Sequence, residues 1–261
     1  MTRHVFSDKL FYQVNREERN YCALIAHALL MSRTARSRFA ELCARHLNVR
    51  LDPGHLEIFV EVAALRDYWN DLGDPQKYTA ETHQRRLYAV QAMLKHMGVK
   101  GELIDRYDFF WTKGVGSKLW SPGAWQPAKL RGELDPRHVE ALWRLRWAFN
   151  SKPDMLIISD AASLLIEAKL ESGESQHGDR GQREPASVTR KRIADLLNAL
   201  VPQFRTAPIH LATLNLRGAK SDRPATFSWA QVAECCDLPE VDEFTRRCLK
   251  SLGRYKPPKV R

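Results

Sequence analysis

Asp154, Glu167 and Lys169 have the types and spacing for hydrolytic chemistry. They bracket two short apolar runs, PDMLII and SLLIEAKL, separated by Ser159-Asp160-Ala161-Ala162. Such runs around a turn-forming loop predict a β-hairpin, and its register can be worked out. If Ile158 faces Ser163, Asp154 faces Glu167, with Cα atoms about 4.5–5.5 Å apart. The two-residue side-chain period places Lys169 on the face of Glu167. Like charges directly opposite one another destabilise a strand pair. Both faces are otherwise apolar, with Leu156, Ile158 and Leu165 on one and Met155, Ile157, Leu164 and Ile166 on the other. That pattern predicts a strand pair buried on both sides. Two facing acids at its end call for a cation. A hard divalent metal with oxygen ligands meets that need; Lys169 could instead neutralise one of them as a plain structural salt bridge.

Pro153-Asp154, twelve intervening residues and then Glu167-Ala168-Lys169 resemble the signature of the PD-(D/E)XK nuclease superfamily. The resemblance covers residues 136–217 and does not extend to the first hundred. It implies a restriction-endonuclease-like core, a small mixed sheet flanked by helices. Asp154 and Glu167 would bind Mg²⁺ or Mn²⁺, helped by the Ala168 carbonyl. Lys169 would orient or deprotonate the attacking water and steady the phosphate. The family often adds an acid on the helix before the hairpin, where Glu140 stands; Glu61, Glu17 and Glu18 are rivals. The implied activity is metal-dependent phosphodiester hydrolysis, in DNA first of all. An RNA-cleaving effector and an inactive nucleic-acid-binding or partner-docking protein on the same fold are the alternatives. Restriction, recombination, repair, transposition and phage-defence enzymes share the signature, which suggests a bacterial defence or mobile-element setting.

The surrounding elements must position these residues. The N-terminal part reads as helical. Asn15 with Glu18 has the pattern of a capping box, followed by Tyr21, Leu24, Ile25, Ala28 and Leu29 at helical spacing. Further helices are predicted over 37–47, from Asp52-Pro53 with Leu56, Phe59, Val60 and Ala63 on one stripe, and over 79–97. The segment 105–132 is rich in Gly, Pro and aromatics, with Trp111, Trp120 and Trp125 interleaved with Lys113, Lys118 and Lys129. Such a pattern stacks bases and holds phosphates, or seals a core edge. Asp135-Pro136 opens a helix through Asn150. A polar loop follows the hairpin, then a helix over 188–201 capped by Ser187, a strand over 209–216 and a C-terminal helical region. The order predicts a mixed α/β (α+β) fold: a helical N-terminal region over 1–104, then a nuclease-like domain over 105–261 with a basic tail.

Lys and Arg number 41 against 31 acids, a net charge of +10 over 261 residues. That balance favours a polyanionic partner. Beyond Glu243 the chain carries Arg246, Arg247, Lys250, Arg254, Lys256, Lys259 and Arg261 and no acid, which suggests phosphate contacts. Arg190, Lys191 and Arg192 open a predicted helix, where cations oppose the helix dipole and a bound phosphate would offset that penalty. Five cysteines without a C-x-x-C pair suggest neither a disulfide framework nor a zinc site. The nine histidines lack metal-ligand spacing. No run approaches the roughly 18 apolar residues of a membrane span, and no secretory signal is visible, so a cytoplasmic protein is expected. A homodimer or a larger complex remains open.

Overall fold

The computed structural model describes residues 17–74, 77, 79–99, 121–170, 176–177, 184–216 and 226–253. Asn15, the lysines and tryptophans of 105–120, and Arg254, Lys256, Lys259 and Arg261 of the basic tail lie outside the described residues. In chain order the helices are α1 (Glu18–Met31), α2 (Arg33–Leu47), α3 (Ala64–Asp71), α4 (Ala80–His96), α5 (Pro136–Asn150), α6 (Ala186–Leu200), α7 (Gln203–Thr206), α8 (Trp229–Cys236) and α9 (Glu243–Gly253). The strands are β1 (Glu57–Val60), β2 (Met155–Ile158), β3 (Ser163–Ala168), β4 (Gln176–His177), β5 (Glu184–Pro185), β6 (Ile209–Asn215) and β7 (Thr226–Ser228).

The chain forms two compact units, each assembled from separate segments: 1–62, 153–173 and 206–261 in the first, and 63–152 with 174–205 in the second. The division predicted near residue 104 is not where the contacts divide the chain, because α1 and α2 belong with the hairpin. In the first unit a five-stranded mixed sheet runs β1-β2-β3-β6-β7. β1 pairs antiparallel with β2, and β2 with β3. β3 to β6 and β6 to β7 are parallel. Alternation sends Met155, Ile157, Leu164, Ile166, Ala212, Leu214 and Phe227 to one face, into a single core with Tyr21, Ile25, Leu29, Phe39, Val232 and Leu249 of the helices. Edge-to-face pairs fix that packing, Tyr21 on Trp229 at 5.8 Å and Phe39 on Phe227 at 6.0 Å between ring centres. The five cysteines are free and buried.

Residues 57–60 overturn one expectation. The segment after Asp52-Pro53 is not a helix. Asp52 folds back to accept the Gly54 N–H at 2.8 Å, closing a turn, and EIFV becomes strand β1. Ile58 and Val60 face the core, while Glu57 and Phe59 are exposed. A short apolar run fits either period, and pairing with β2 decides it.

In the second unit, Asp135 caps α5 by accepting the Arg137 N–H at 2.8 Å, with Pro136 in the first helical position. Trp69 meets Phe149 edge to face at 6.1 Å, and the buried Arg86 stacks on Trp69 at 5.1 Å while donating to the Gly73 carbonyl at 2.9 Å. Gly73 has φ 152°, and a Cβ there would lie 2.1 Å from the Thr82 hydroxyl, so glycine is required. α6 starts earlier than predicted. Pro185 occupies its cap position without a side-chain bond, and Ser187 lies inside the first turn. Among the described residues no helix is long and apolar enough to cross a membrane.

Candidate active site

The hairpin register is the predicted one: Ile158 faces Ser163 and Met155 faces Ile166. One step further, Asp154 stands across from Glu167. Asp154 is half-buried and Glu167 is buried. The Ala168 N–H donates to Asp154 Oδ2 at 2.7 Å, and Lys169 Nζ lies 2.7 Å from Glu167 Oε1. These contacts bring two carboxylates, the Ala168 backbone and one ammonium together at the end of the strand pair.

The residue before Asp154 also has a chemical reason. Hydrogen-bonded and non-bonded pairs alternate along an antiparallel ladder, and the Ser159 N–H donates to the Ala162 carbonyl at 3.1 Å. The same alternation sets Pro153 against Ala168. Proline has no N–H to give, so the Ala168 carbonyl receives none from residue 153.

The strand exit is held from several sides. The Lys169 N–H donates to the Leu214 carbonyl at 2.7 Å. The Lys169 carbonyl accepts from the indole of buried Trp229 at 3.0 Å. Trp229 opens α8, fixed there by a reciprocal capping box between Ser228 and Gln231. The Leu170 N–H donates to Glu18 Oε1 at 3.2 Å, which carries a third acid to the site from the first turn of α1. A fourth stands beside it: the Glu61 N–H donates to the Asp154 carbonyl at 3.0 Å. Glu61 has φ 52°, a left-handed conformation that costs a residue with a Cβ about 1–2 kcal/mol. Arg19 lies 3.4 Å from the Glu61 carboxylate.

Electrostatics follow from this crowding. Burial, then the Glu167 charge, push the Asp154 carboxyl up to about 6, with Glu18 adding to the rise; the Ala168 N–H and Lys169 oppose it. Burial and the charges of Asp154, Glu18, Glu167 and Glu61 also drive the Cys22 thiol well above its ordinary value. Cys22 lies one turn after Glu18 on the same helix face, beneath the acids. The donors are all oxygens and their charges repel one another. Asp154, Glu167 and the Ala168 carbonyl are the oxygens here that could hold a hard divalent cation.

The other predicted residues are placed as follows. Glu140 belongs to the second unit, exposed and ion-paired with Arg144. There it lines a cavity of about 660 Å³ with Lys191 and Arg192. Arg192 is not an open phosphate ligand: both its arms clasp the buried Glu184, at 2.5 and 2.9 Å. Lys191 pairs with Asp195 at 2.7 Å, and Arg190 is half-buried with Nη1 shut off from solvent. On α9, Lys250 reaches Asp237 at 2.9 Å, Arg247 lies 3.9 Å from Glu243, and Arg246 is half-buried. Glu17 is exposed at the cap position of α1. Sequence spacing missed one group that folding assembles. Asp52, His55 and Asp160 bring ligating atoms within 4.8 Å of one another on the surface. More than a hundred residues separate its two halves, so no local pattern could reveal it.

No protein-family model, no curated protein and no solved structure matches the chain.

Proposed function

We propose that this protein is a metal-dependent nuclease of the PD-(D/E)XK type that hydrolyses phosphodiester bonds in DNA. One observation carries the reading: Asp154 and Glu167 face each other across a buried hairpin with Lys169 on Glu167, where burial and then the Glu167 charge push the Asp154 carboxyl up to about 6. Two like charges facing each other destabilise a purely structural strand pair. Asp154, Glu167 and the Ala168 carbonyl would hold Mg²⁺ or Mn²⁺, with Glu18 as the further acid in place of Glu140. When bound, the cation supplies an acidified water and a polarised phosphate.

The chain's own groups do the rest. Lys169 Nζ presents its donors where negative charge builds on the phosphate oxygens and where the attacking water must sit. Its backbone is tied to Leu214 and Trp229, which fixes the point from which the side chain reaches Glu167. The net charge of +10 favours a polyanionic substrate.

The test compares wild type, Glu167→Ala and Lys169→Ala on DNA and on matched RNA, with Mg²⁺, with Mn²⁺ and after chelation. Wild type cuts DNA only with the cation. Glu167→Ala loses both Mn²⁺ affinity and cleavage. Lys169→Ala retains Mn²⁺ affinity and slows cleavage by about 10²–10⁴-fold. Undiminished cleavage after thorough chelation would sink the proposal. So would a pair of variants that merely melt earlier and cut normally per folded molecule. Preference for the RNA would reassign the substrate.

A further inference from the structure

The ladder between β1 and β2 has charged groups beyond both of its ends. Its register pairs Glu57 with Ile158 and Val60 with Met155. Continued one step past Val60, it sets Glu61 across from Asp154, at the acid site. Continued two steps past Glu57, it sets His55 across from Asp160, in the loop that joins β2 to β3. Six residues of extended chain separate Asp154 from Asp160, roughly 20 Å. The two ends are therefore separate places.

At the far end three side chains converge. His55 Nδ1 lies 2.9 Å from Asp160 Oδ2 and 3.8 Å from Asp52 Oδ2. The three ligating atoms all fall within 4.8 Å of one another. Asp52 is oriented by its own turn, since its Oδ1 accepts the Gly54 N–H at 2.8 Å. An imidazole Nδ1 carries at most one proton. It can donate that proton to one carboxylate, and the other acid is left beside a like charge. The side chains of His55, Asp52 and Asp160 are 74%, 42% and 75% exposed, so an ion from solvent reaches all three.

We propose that Asp52, His55 and Asp160 form a Zn²⁺ site, distinct from the acid pair at the other end of the hairpin. Ligand bonds of about 2.1 Å put two ligands of one ion roughly 3.0 Å apart at a right angle and 4.2 Å apart when opposite. The separations of 2.9 and 3.8 Å from the imidazole suit that range. A ring nitrogen in the set favours Zn²⁺ over Mg²⁺ and Ca²⁺, which prefer oxygen alone. Three protein ligands leave the fourth tetrahedral position to water. The ion ties the turn before β1 to the β2–β3 loop, and so fastens an edge strand of the sheet. The nuclease reading plays no part in this assignment.

Calorimetric titration with Zn²⁺ tests it on chelator-treated full chain, with melting temperature as a second readout. His55→Ala and Asp160→Asn are made both in wild type and in Glu167→Ala, where the acid site has lost a ligand. Glu167→Ala still takes up Zn²⁺ and melts higher with it, and excess Mg²⁺ does not displace the ion. Adding His55→Ala or Asp160→Asn lowers the Zn²⁺ affinity by about 100-fold or more, since losing even an outer partner of a metal costs about 10–100-fold. The zinc-dependent rise in melting temperature goes with it. Exposed side chains are replaced, so these variants fold as their parents do. Zn²⁺ uptake that His55→Ala and Asp160→Asn leave unchanged, or no uptake by wild type and Glu167→Ala, would reduce the group to a surface ion pair. Neither result touches the nuclease reading, which stands or falls on cleavage.

Discussion

At the scale of single residues, the main tension is at Asp154. Its carboxyl titrates near 6 because burial and Glu167 disfavour the charge, and Glu18 adds to this. In the unfolded chain the same group titrates at about 3.9. Between these values the folded protein keeps a proton that the unfolded chain has lost. This contribution to stability is therefore full below about pH 4 and is lost as pH rises through about 6. A cation held by both carboxylates would offset the burial and the Glu167 repulsion that together raise the pKa. The predicted outcome is that the melting temperature declines across this window without a divalent cation, and that Mn²⁺ cancels the decline in wild type but not in Glu167→Ala. A profile indifferent to Mn²⁺ would mean that the acids do not share an ion. Glu61 adds a second tension, a left-handed backbone at a residue with a Cβ. Strain of this kind persists only where the surroundings hold it, here through the bond to Asp154 and the pairing with Arg19.

At the scale of elements, sequence position alone makes Arg192 a candidate phosphate ligand at the start of a helix. In the fold it serves its own unit. Burial alone would raise the Glu184 carboxyl, but hydrogen bonds from Arg192 and Thr189, with the charges of Arg192 and Arg144, hold it below its ordinary value. The pair ties β5 to α6. Removing one member of a buried pair leaves the other unpaired, at a cost of about 3–5 kcal/mol; both side chains remain about one-tenth exposed, which places the expectation at the lower end. Arg192→Ala should thus lose about 3 kcal/mol of unfolding free energy in a urea titration, while the salt dependence of DNA binding keeps its slope. A flatter slope with unaltered stability would return Arg192 to the phosphate-binding set.

At the scale of the whole molecule, charge is the broadest guide to the partner. Several predicted phosphate contacts already have acidic partners, Lys191 with Asp195 and Lys250 with Asp237. Such exposed pairs are worth little to stability, but they dilute the local positive potential. Arg254, Lys256, Lys259 and Arg261 have no acid near them in sequence. Replacing these four by glutamine should flatten the slope of log affinity against log salt by about 3 to 4, if each displaces one counterion. Fluorescence anisotropy at several salt concentrations measures it. An unaltered slope would assign the tail to solubility alone.

The chain by itself determined what depends on neighbours in sequence. Two apolar runs around a four-residue loop allow one register that buries both faces, so the facing of Asp154 and Glu167 is legible in the chain alone, as are Asp135 capping α5 and the helices ending near Leu47 and His96. Tertiary structure decided whatever depends on distant partners. EIFV became a strand because β2 offered its open edge, and no local period could announce that. Glu18 and Glu61 came to the site through helix packing and strand pairing. Arg192 found Glu184, and His55 found Asp160, across turns and loops whose closure sequence spacing does not encode. Side-chain alternation is local and can be read along the chain. Which strand lies next to which is settled by the burial of a shared core, a property of all the segments at once.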